Sequence, residues 1–330
     1  MTKKTPTALV VADVKDSEIT RILGHVSSDR VAVLPLGALF RGVELGWSLG
    51  RGLRVNLGGS ELPPESLESV ETVLFRPSSW VGADQRPRMG LSRVDGLVEP
   101  EFAPFMTAEI DALVYGALTA LGHAAWMNHP DHARLAERKI PQLVLARELG
   151  LAVPETVVSA DPGILADFWE SCSGEVVCKA IGSASTWHLA PRIPAITRSV
   201  ERTDVERLPS TPRLPTLFQR KITAAYDLRV TVVGNELFAA AIFSQSGSSP
   251  LDWRLDYTVP MRTITVDSVL AEQLTALVAQ LGLHYAAIDL RVDRDGRHYF
   301  LEANSYGVYE FIEELAGCPI SAAIASWLTS

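Results

Sequence analysis

The sequence predicts a mixed α/β chain, with strands and helices alternating in its first third and an α+β arrangement beyond it. Short apolar runs separated by helical stretches recur over residues 7–75, the pattern of a small α/β unit. Later helical stretches carry Pro near their starts and Gly at their stops, as at Pro141 and Gly150. Residues 285–304 read as a β-hairpin, because two alternating apolar runs flank Asp295-Gly296, a strong turn signal. Closing the chain there pairs Ile288 with Ala303, Leu290 with Leu301 and Val292 with Tyr299, which gathers the apolar residues on one face.

Taken in order, Thr7–Ala12 is a short apolar strand, and Ser17 caps a helix running to about His25. Strands follow at Arg30–Leu36, Leu53–Leu57 and Val70–Phe75. Ser78–Val98 is polar and Gly-containing, a long loop. Thr107–Leu121 is a helix with an apolar stripe, and the apolar stretch Ala112–Met127 reads as buried helix, too interrupted to span a bilayer. Asn128-His-Pro130 breaks the chain before helices at His132–Arg138 and Pro141–Leu149. A strand at Val153–Val158, a helix at Pro162–Ser171 and a strand at Glu175–Ala180 come next. Gly182–Thr186 is a loop of small residues, and Arg192–Pro215 is rich in Arg and Pro and reads as irregular. Strands at Leu217–Ile222, Asp227–Val233 and Glu236–Ser244, a turn at Gly234-Asn235, and helices at Val269–Leu281 and Ile320–Leu328 complete the pattern.

With 330 residues, 47% of them hydrophobic and 21% charged, the chain is long enough for about two domains with full cores. A net charge of −9 argues against general nucleic-acid affinity, which needs clustered Lys and Arg. Three cysteines in no metal-binding spacing, and no signal peptide, predict a reduced, cytoplasmic protein that uses no membrane.

No P-loop, dinucleotide fingerprint, HExxH or nucleophile elbow is present. The hairpin itself carries the chemical signal. Its register sets Asp289 opposite Glu302, with Asn304 on the same face. Two carboxylates about 5 Å apart repel by roughly 3 kcal/mol at an effective dielectric of ~20. A divalent cation reverses that sign, and two carboxylates with an amide oxygen are hard ligands suited to Mg²⁺. The plainer reading is a solvated polar face with Arg291 nearby.

Other elements form an ordered series: Lys139 between two short helices, Lys179 at a strand end, Gln219-Arg220-Lys221-Ile222, Asp227-Leu-Arg229 and Asp252-Trp-Arg254. Each alone is weak. Together with Trp126–Pro130, Gln142-Leu143, Gly150–Thr156 and Phe300-Leu-Glu302-Ala-Asn304, the series resembles the ATP-grasp superfamily of carboxylate–amine ligases over residues 126–327. Within it the chain is most similar to the peptide-maturing branch that makes microviridin-type graspetides. The first third is similar only in layout, with Arg76-Pro77 as a match.

The resemblance implies an ATP-grasp fold with a small N-terminal α/β domain at 1–125, a central subdomain at 126–216 and a C-terminal subdomain at 217–330, the nucleotide lying between two sheet subdomains. It implies that Lys139, Lys179, Gln219, Arg220, Lys221, Ile222 and Asp227 contact ATP, and that Asp289, Glu302 and Asn304 hold Mg²⁺. Arg229, Arg254 and Asp252 would face the transferred phosphate and the acceptor carboxylate, and Gly182–Thr186 would close over the site as a lid. The implied partner is a ribosomally made acidic precursor peptide, and the branch admits a homodimer. Two departures stand out: Arg220 replaces the Glu frequent after the Gln, and Ser305–Tyr309 differ beyond the metal strand. The alternatives are a ligase of free amino acids or dipeptides and a non-catalytic nucleotide-binding protein. A draw of the arginines in 192–213 on an acidic peptide is weighed against a solvated loop, which the interspersed acids favour.

Overall fold

The computed structural model describes residues 6–35, 44–50, 52–56, 61–62, 67–76, 79–80, 87–88, 99, 101–181, 197–210 and 213–330. The predicted lid at 182–186, the start of the Arg-rich stretch and most of the predicted loop at 78–98 lie outside these residues. The chain divides into two compact units, one of residues 1–133, 283–285 and 319–330, the other of 134–282 and 286–318.

In the first unit, β1 (Ala8–Ala12), β2 (Val31–Pro35), β6 (Thr72–Arg76) and β9 (Ala125–Met127) form a parallel sheet in the order β2-β1-β6-β9. Every residue of β1 and β6 is buried, as in parallel sheets covered on both faces. The helix Ile320–Leu328 packs on β6 and on the helix Ser17–Gly24. Between β2 and β6 lie β3 (Glu44–Ser48), β4 (Gly52–Asn56) and β5 (Glu61–Leu62), and after them β7 (Ser79–Trp80) pairs with β8 (Pro87–Arg88).

Two expectations change here. The first helix is capped by Asp16, not Ser17: the Asp16 carboxylate accepts from the N–H groups of Glu18 and Ile19. The apolar stretch to Met127 is not one helix. Helix gives way after Leu118 to a 3₁₀ turn at Thr119–Leu121, and Ala125–Met127 becomes the fourth parallel strand. A short apolar run carries no period of its own, so burial in the sheet decided its state. Asn128 follows. Its carboxamide donates to the Tyr285 carbonyl at 2.8 Å and accepts from the His284 and Tyr285 N–H groups, which accounts for a buried Asn at that break.

The second unit has two antiparallel sheets. One runs β10-β13-β11-β12, from β10 (Thr156–Ser159), β11 (Val176–Lys179), β12 (Arg198–Ser199) and β13 (Thr216–Arg220). Leu165 and Trp169 of the helix Pro162–Ser171 pack with Val176, Val200 and Phe218 as its core. The other runs β16-β15-β14-β17-β18, from β14 (Ala224–Val233), β15 (Glu236–Ile242), β16 (Met261–Ile264), β17 (Tyr285–Asp293) and β18 (His298–Asn304). The Arg-rich stretch expected to be irregular contains a helix, Arg202–Arg207, started by a capping box of Glu201 and Asp204. Arg198 pairs with Asp204 at 3.2 Å, so local acids neutralise part of its charge.

The hairpin register holds where it matters and fails near the turn. Asp289 pairs with Glu302 and Ile288 with Ala303, but Leu290 faces Phe300 and Val292 faces His298. The turn is one residue longer than expected: Asp293 N–H donates to the Arg297 carbonyl, and Gly296 takes the left-handed conformation at φ 82°. A bulge at Leu301 absorbs the extra residue before the acidic pair.

Candidate functional site

The two sheets of the second unit contribute to one open cleft. Lys139, Lys179, Gln219, Arg220, Lys221, Ile222, Asp227, Asp252, Arg254, Asp289, Glu302 and Asn304 all line it. Residues scattered over more than 160 positions of sequence therefore converge, and all but one of the candidate site residues are among them. The exception is Arg229, which sits behind Asp289 rather than on the cleft wall. Its Nη1 donates to Asp289 Oδ1 at 2.9 Å and its Nη2 to the Val308 carbonyl at 3.0 Å.

The acidic pair is charged on opposite terms. Burial pushes the Asp289 carboxyl up from its ordinary range, with Arg229 opposing and the Glu302 charge adding to the rise. Burial acts on Glu302 in the same sense, but Lys139, Arg254 and Lys179 outweigh it and hold that carboxyl well below its usual range. Lys139 Nζ lies 3.0 Å from Glu302 Oε2. Asn304 Nδ2 donates to Asp289 Oδ2 at 3.3 Å, so the amide stands beside that acid. Among the described residues no three His, Cys, Asp or Glu side chains cluster as a metal site. Asp289, Glu302 and Asn304 fit Mg²⁺ as a partial shell, two carboxylates and one amide oxygen, which leaves positions for phosphate oxygens and water. A cation there would relieve the electrostatic cost of the Asp289 charge.

The cation side of the cleft is as dense. Lys179 ends β11, and burial lowers its pKa to about 8; Glu302 opposes, and Arg291, Lys139 and Arg254 add to the fall. On β13, Gln219 is buried and its Nε2 donates to Thr156 Oγ1 at 3.0 Å. Arg220 and Lys221 direct their charges to Glu155 and Glu175, at 3.0 and 3.2 Å. Asp252 and Arg254 form a two-bond fork at 2.7 and 2.6 Å, and Asp252 Oδ2 also accepts from Thr197 N–H. Trp253 between them packs on Phe311 with ring centroids 5.1 Å apart.

Asp227 is engaged by protein on both oxygens. Arg291 Nε and Nη2 reach Oδ1 and Oδ2 at 2.8 and 3.1 Å, and Ser244 Oγ donates to Oδ2. Sequence reasoning treated Arg291 only as a neighbour and missed this pair. A signal was present: Asp227-Leu-Arg229 and Asp289-Leu-Arg291 are the same tripeptide. On the adjacent strands β14 and β17 the acid of each meets the arginine of the other.

No family model and no curated protein matches the sequence. Solved structures do. Macrocyclase MdnC of Microcystis aeruginosa, bound with precursor peptide MdnA, superposes with a TM-score of 0.81 at 27% identity, over 98% of this chain and 99% of that one. The fold is that of the ATP-grasp ligases. A Chryseobacterium gregarium RiPP-associated ATP-grasp ligase, in complex with ADP and a leader and core peptide, has a TM-score of 0.82 at 22% identity over 97% and 95% of the two chains. The ATP-grasp ligase PsnB, complexed with minimal precursor, Mg and ADP, has a TM-score of 0.75 at 20% identity over 99% and 98%. The chain resembles these peptide-maturing ligases over nearly its whole length. That likeness takes in the first third, for which the sequence offered layout alone. No helix among the described residues is long and apolar enough to cross a membrane.

Proposed function

We propose that the protein is an ATP- and Mg²⁺-dependent ligase that crosslinks Asp or Glu side chains of a ribosomally made acidic peptide to Ser, Thr or Lys. The observation that carries this is the convergence, in one cleft, of the Asp289/Glu302/Asn304 set, the two lysines and the Asp252–Arg254 fork. A carboxylate does not condense with an alcohol or amine at neutral pH. Its oxygen must first take the γ-phosphoryl group of ATP, releasing ADP. The hydroxyl or amine then attacks the acyl carbon and expels phosphate, so each link removes one water from the peptide and converts ATP to ADP and phosphate.

Lys139 and Lys179 supply point charges for the phosphates, and Arg254 supplies a planar fork for the acceptor carboxylate. Asp289, Glu302 and Asn304 would hold Mg²⁺, which would supply positive charge against that developing on the phosphates. Asp252 aligns Arg254 and keeps its guanidinium oriented. The three cysteines are free thiols, which agrees with a reducing compartment. The test is mass spectrometry of a neighbouring gene's acidic peptide after incubation with this protein, ATP and Mg²⁺. Loss of one water mass per link, abolished by Glu302→Ala, is the expected result. An unchanged peptide with ATP consumed only in the presence of free amino acids would move the protein to the small-molecule ligases.

A further inference from the structure

The Asp252–Arg254 fork stands on a long connection, residues 243–260, between β15 and β16. Most of that connection has no strand partner; within it Asp256 accepts from the N–H and Oγ of Ser248 and of Thr258, and other side chains tie it to the sheet. On its leading arm Arg291 Nη2 donates to the Pro250 carbonyl at 2.7 Å and approaches the Leu251 carbonyl at 3.5 Å. Gln245 Nε2 reaches the same Pro250 carbonyl at 2.9 Å, and donates to Ser244 Oγ at 3.1 Å. On the trailing arm Trp253 packs on Phe311 and lies 5.9 Å from the Arg229 guanidinium.

We infer that Arg291 is a positioning residue for the ligase reaction, fixing the Pro250–Arg254 segment against the strand that carries Asp289. The inference rests on the ligase reading above. Arg291 and Asp289 are two residues apart on β17 and so share a face. Asp289 contributes to the metal set, while Arg291 grips the segment that presents Arg254. Asp227 holds the Arg291 fork in plane through two bonds, which leaves Nη2 aimed at Pro250. Arg291 and Asp227 are buried, which shields their ion pair, while Pro250 at the far end of the joint is exposed. A lysine cannot make this joint: one ammonium does not span two carboxylate oxygens and a carbonyl in the geometry of a planar fork.

The test compares wild type with Arg291→Lys and Arg291→Met in the full chain. It reads backbone amide exchange over 249–256, Mg·ADP affinity, and kcat and KM for the acidic peptide. Expected are faster exchange in that segment with β14 and β17 still protected, and a fall in kcat larger than any fall in Mg·ADP affinity. A fall in kcat of about 100-fold for Arg291→Met is expected, the size a misplacement of about 1 Å brings. Arg291→Lys should fall between. Where Arg291→Met does not fold, because it strands the buried Asp227 charge, the double variant Asp227→Asn/Arg291→Met removes both charges and takes its place. Unchanged exchange in a folded variant overturns the inference, and so does a loosened segment with unaltered kcat and KM. Should wild type leave every peptide unmodified, the ligase reading falls, and the exchange data alone decide whether Arg291 holds the segment.

Discussion

The side chain of Gln142 pairs with the backbone of Ala303 as a neighbouring strand would. Its Nε2 donates to the Ala303 carbonyl at 2.8 Å and its Oε1 accepts from the Ala303 N–H at 2.9 Å. Ala303 lies between Glu302 and Asn304 on β18, the edge strand of its sheet. An edge strand leaves backbone groups unpaired, and here they are buried. Gln142 therefore satisfies them and fixes the peptide that carries both candidate ligands. Replacing it with Leu should cost about 2–3 kcal/mol of stability, the size of an orphaned buried donor and acceptor. Mg·ADP affinity should fall with it. Gln142→Glu keeps the acceptor for Ala303 N–H but turns a buried carboxylate oxygen on the Ala303 and Ala136 carbonyls, and should lose at least as much. Urea unfolding and nucleotide titration of the two variants check the order.

Gly307 makes room for Arg229. A Cβ at that position would meet Arg229 Nη2 at 2.7 Å, Ala287 Cβ at 2.5 Å and Asn304 Cβ at 3.1 Å. The buried Ala287 cannot yield, so the guanidinium must move and its bond to Asp289 is strained. Gly307→Ala should destabilise by about 1–3 kcal/mol, as overpacking does. Peptide dehydration should drop further than stability accounts for. Turnover measured well below the variant's unfolding temperature separates the two effects; full activity there would show that Arg229 tolerates the shift.

Much of this site was legible because local pattern sets it. The alternation of residues 285–304 places Asp289 opposite Glu302 without any tertiary information, and the prediction survives because a longer turn and a bulge at Leu301 cancel. The partners of Asp227 were not legible. Arg291 is 64 positions away, and which charges meet depends on the order of β14 and β17 in the sheet rather than on any window of sequence. Lys139 was expected at the nucleotide, yet its pairing with Glu302 comes from a helix start and a strand that only the fold brings together. The helix at 202–207 was missed for a different reason. Its capping acids lie among arginines, where composition masks the three-residue spacing of Glu201 and Asp204.

Asp16 offers a pH test confined to the first unit. Burial raises its pKa from 3.8 to about 6, against the lowering pull of Arg76. Arg76 itself is buried in an ion pair with Glu18. Above pH 6 Asp16 is ionised in folded and unfolded chains, and the folded state bears the full cost of the buried charge. As pH falls from 6 to 3.8 the folded chain takes up a proton first, so the cost is relieved, and below 3.8 it is gone. Asp16→Asn keeps an oxygen to cap the helix and removes the charge. It should raise stability at pH 7.5 by on the order of 2 kcal/mol and leave it unchanged at pH 3.5. Unfolding midpoints at the two pH values decide the matter; an equal effect at both would assign it to the cap instead.

Lys179 makes the pH dependence of nucleotide binding predictable. Its pKa of about 8 means that it loses its charge within the working range of the assay, unlike an ordinary lysine at 10.5. A bound phosphate chain favours the ammonium, so binding above pH 8 must be accompanied by uptake of a proton. ADP affinity in the wild type should therefore hold steady below pH 8 and fall above it, approaching tenfold per pH unit at the limit. Arginine at this position does not titrate, and Lys179→Arg should bind with no such slope. Lys179→Met should bind weakly at every pH, also without a slope. Titrations from pH 6.5 to 9.5 separate the three. A wild type as flat as Lys179→Arg would place the phosphates away from Lys179 and leave Lys139 and Arg254 as the cations that meet them.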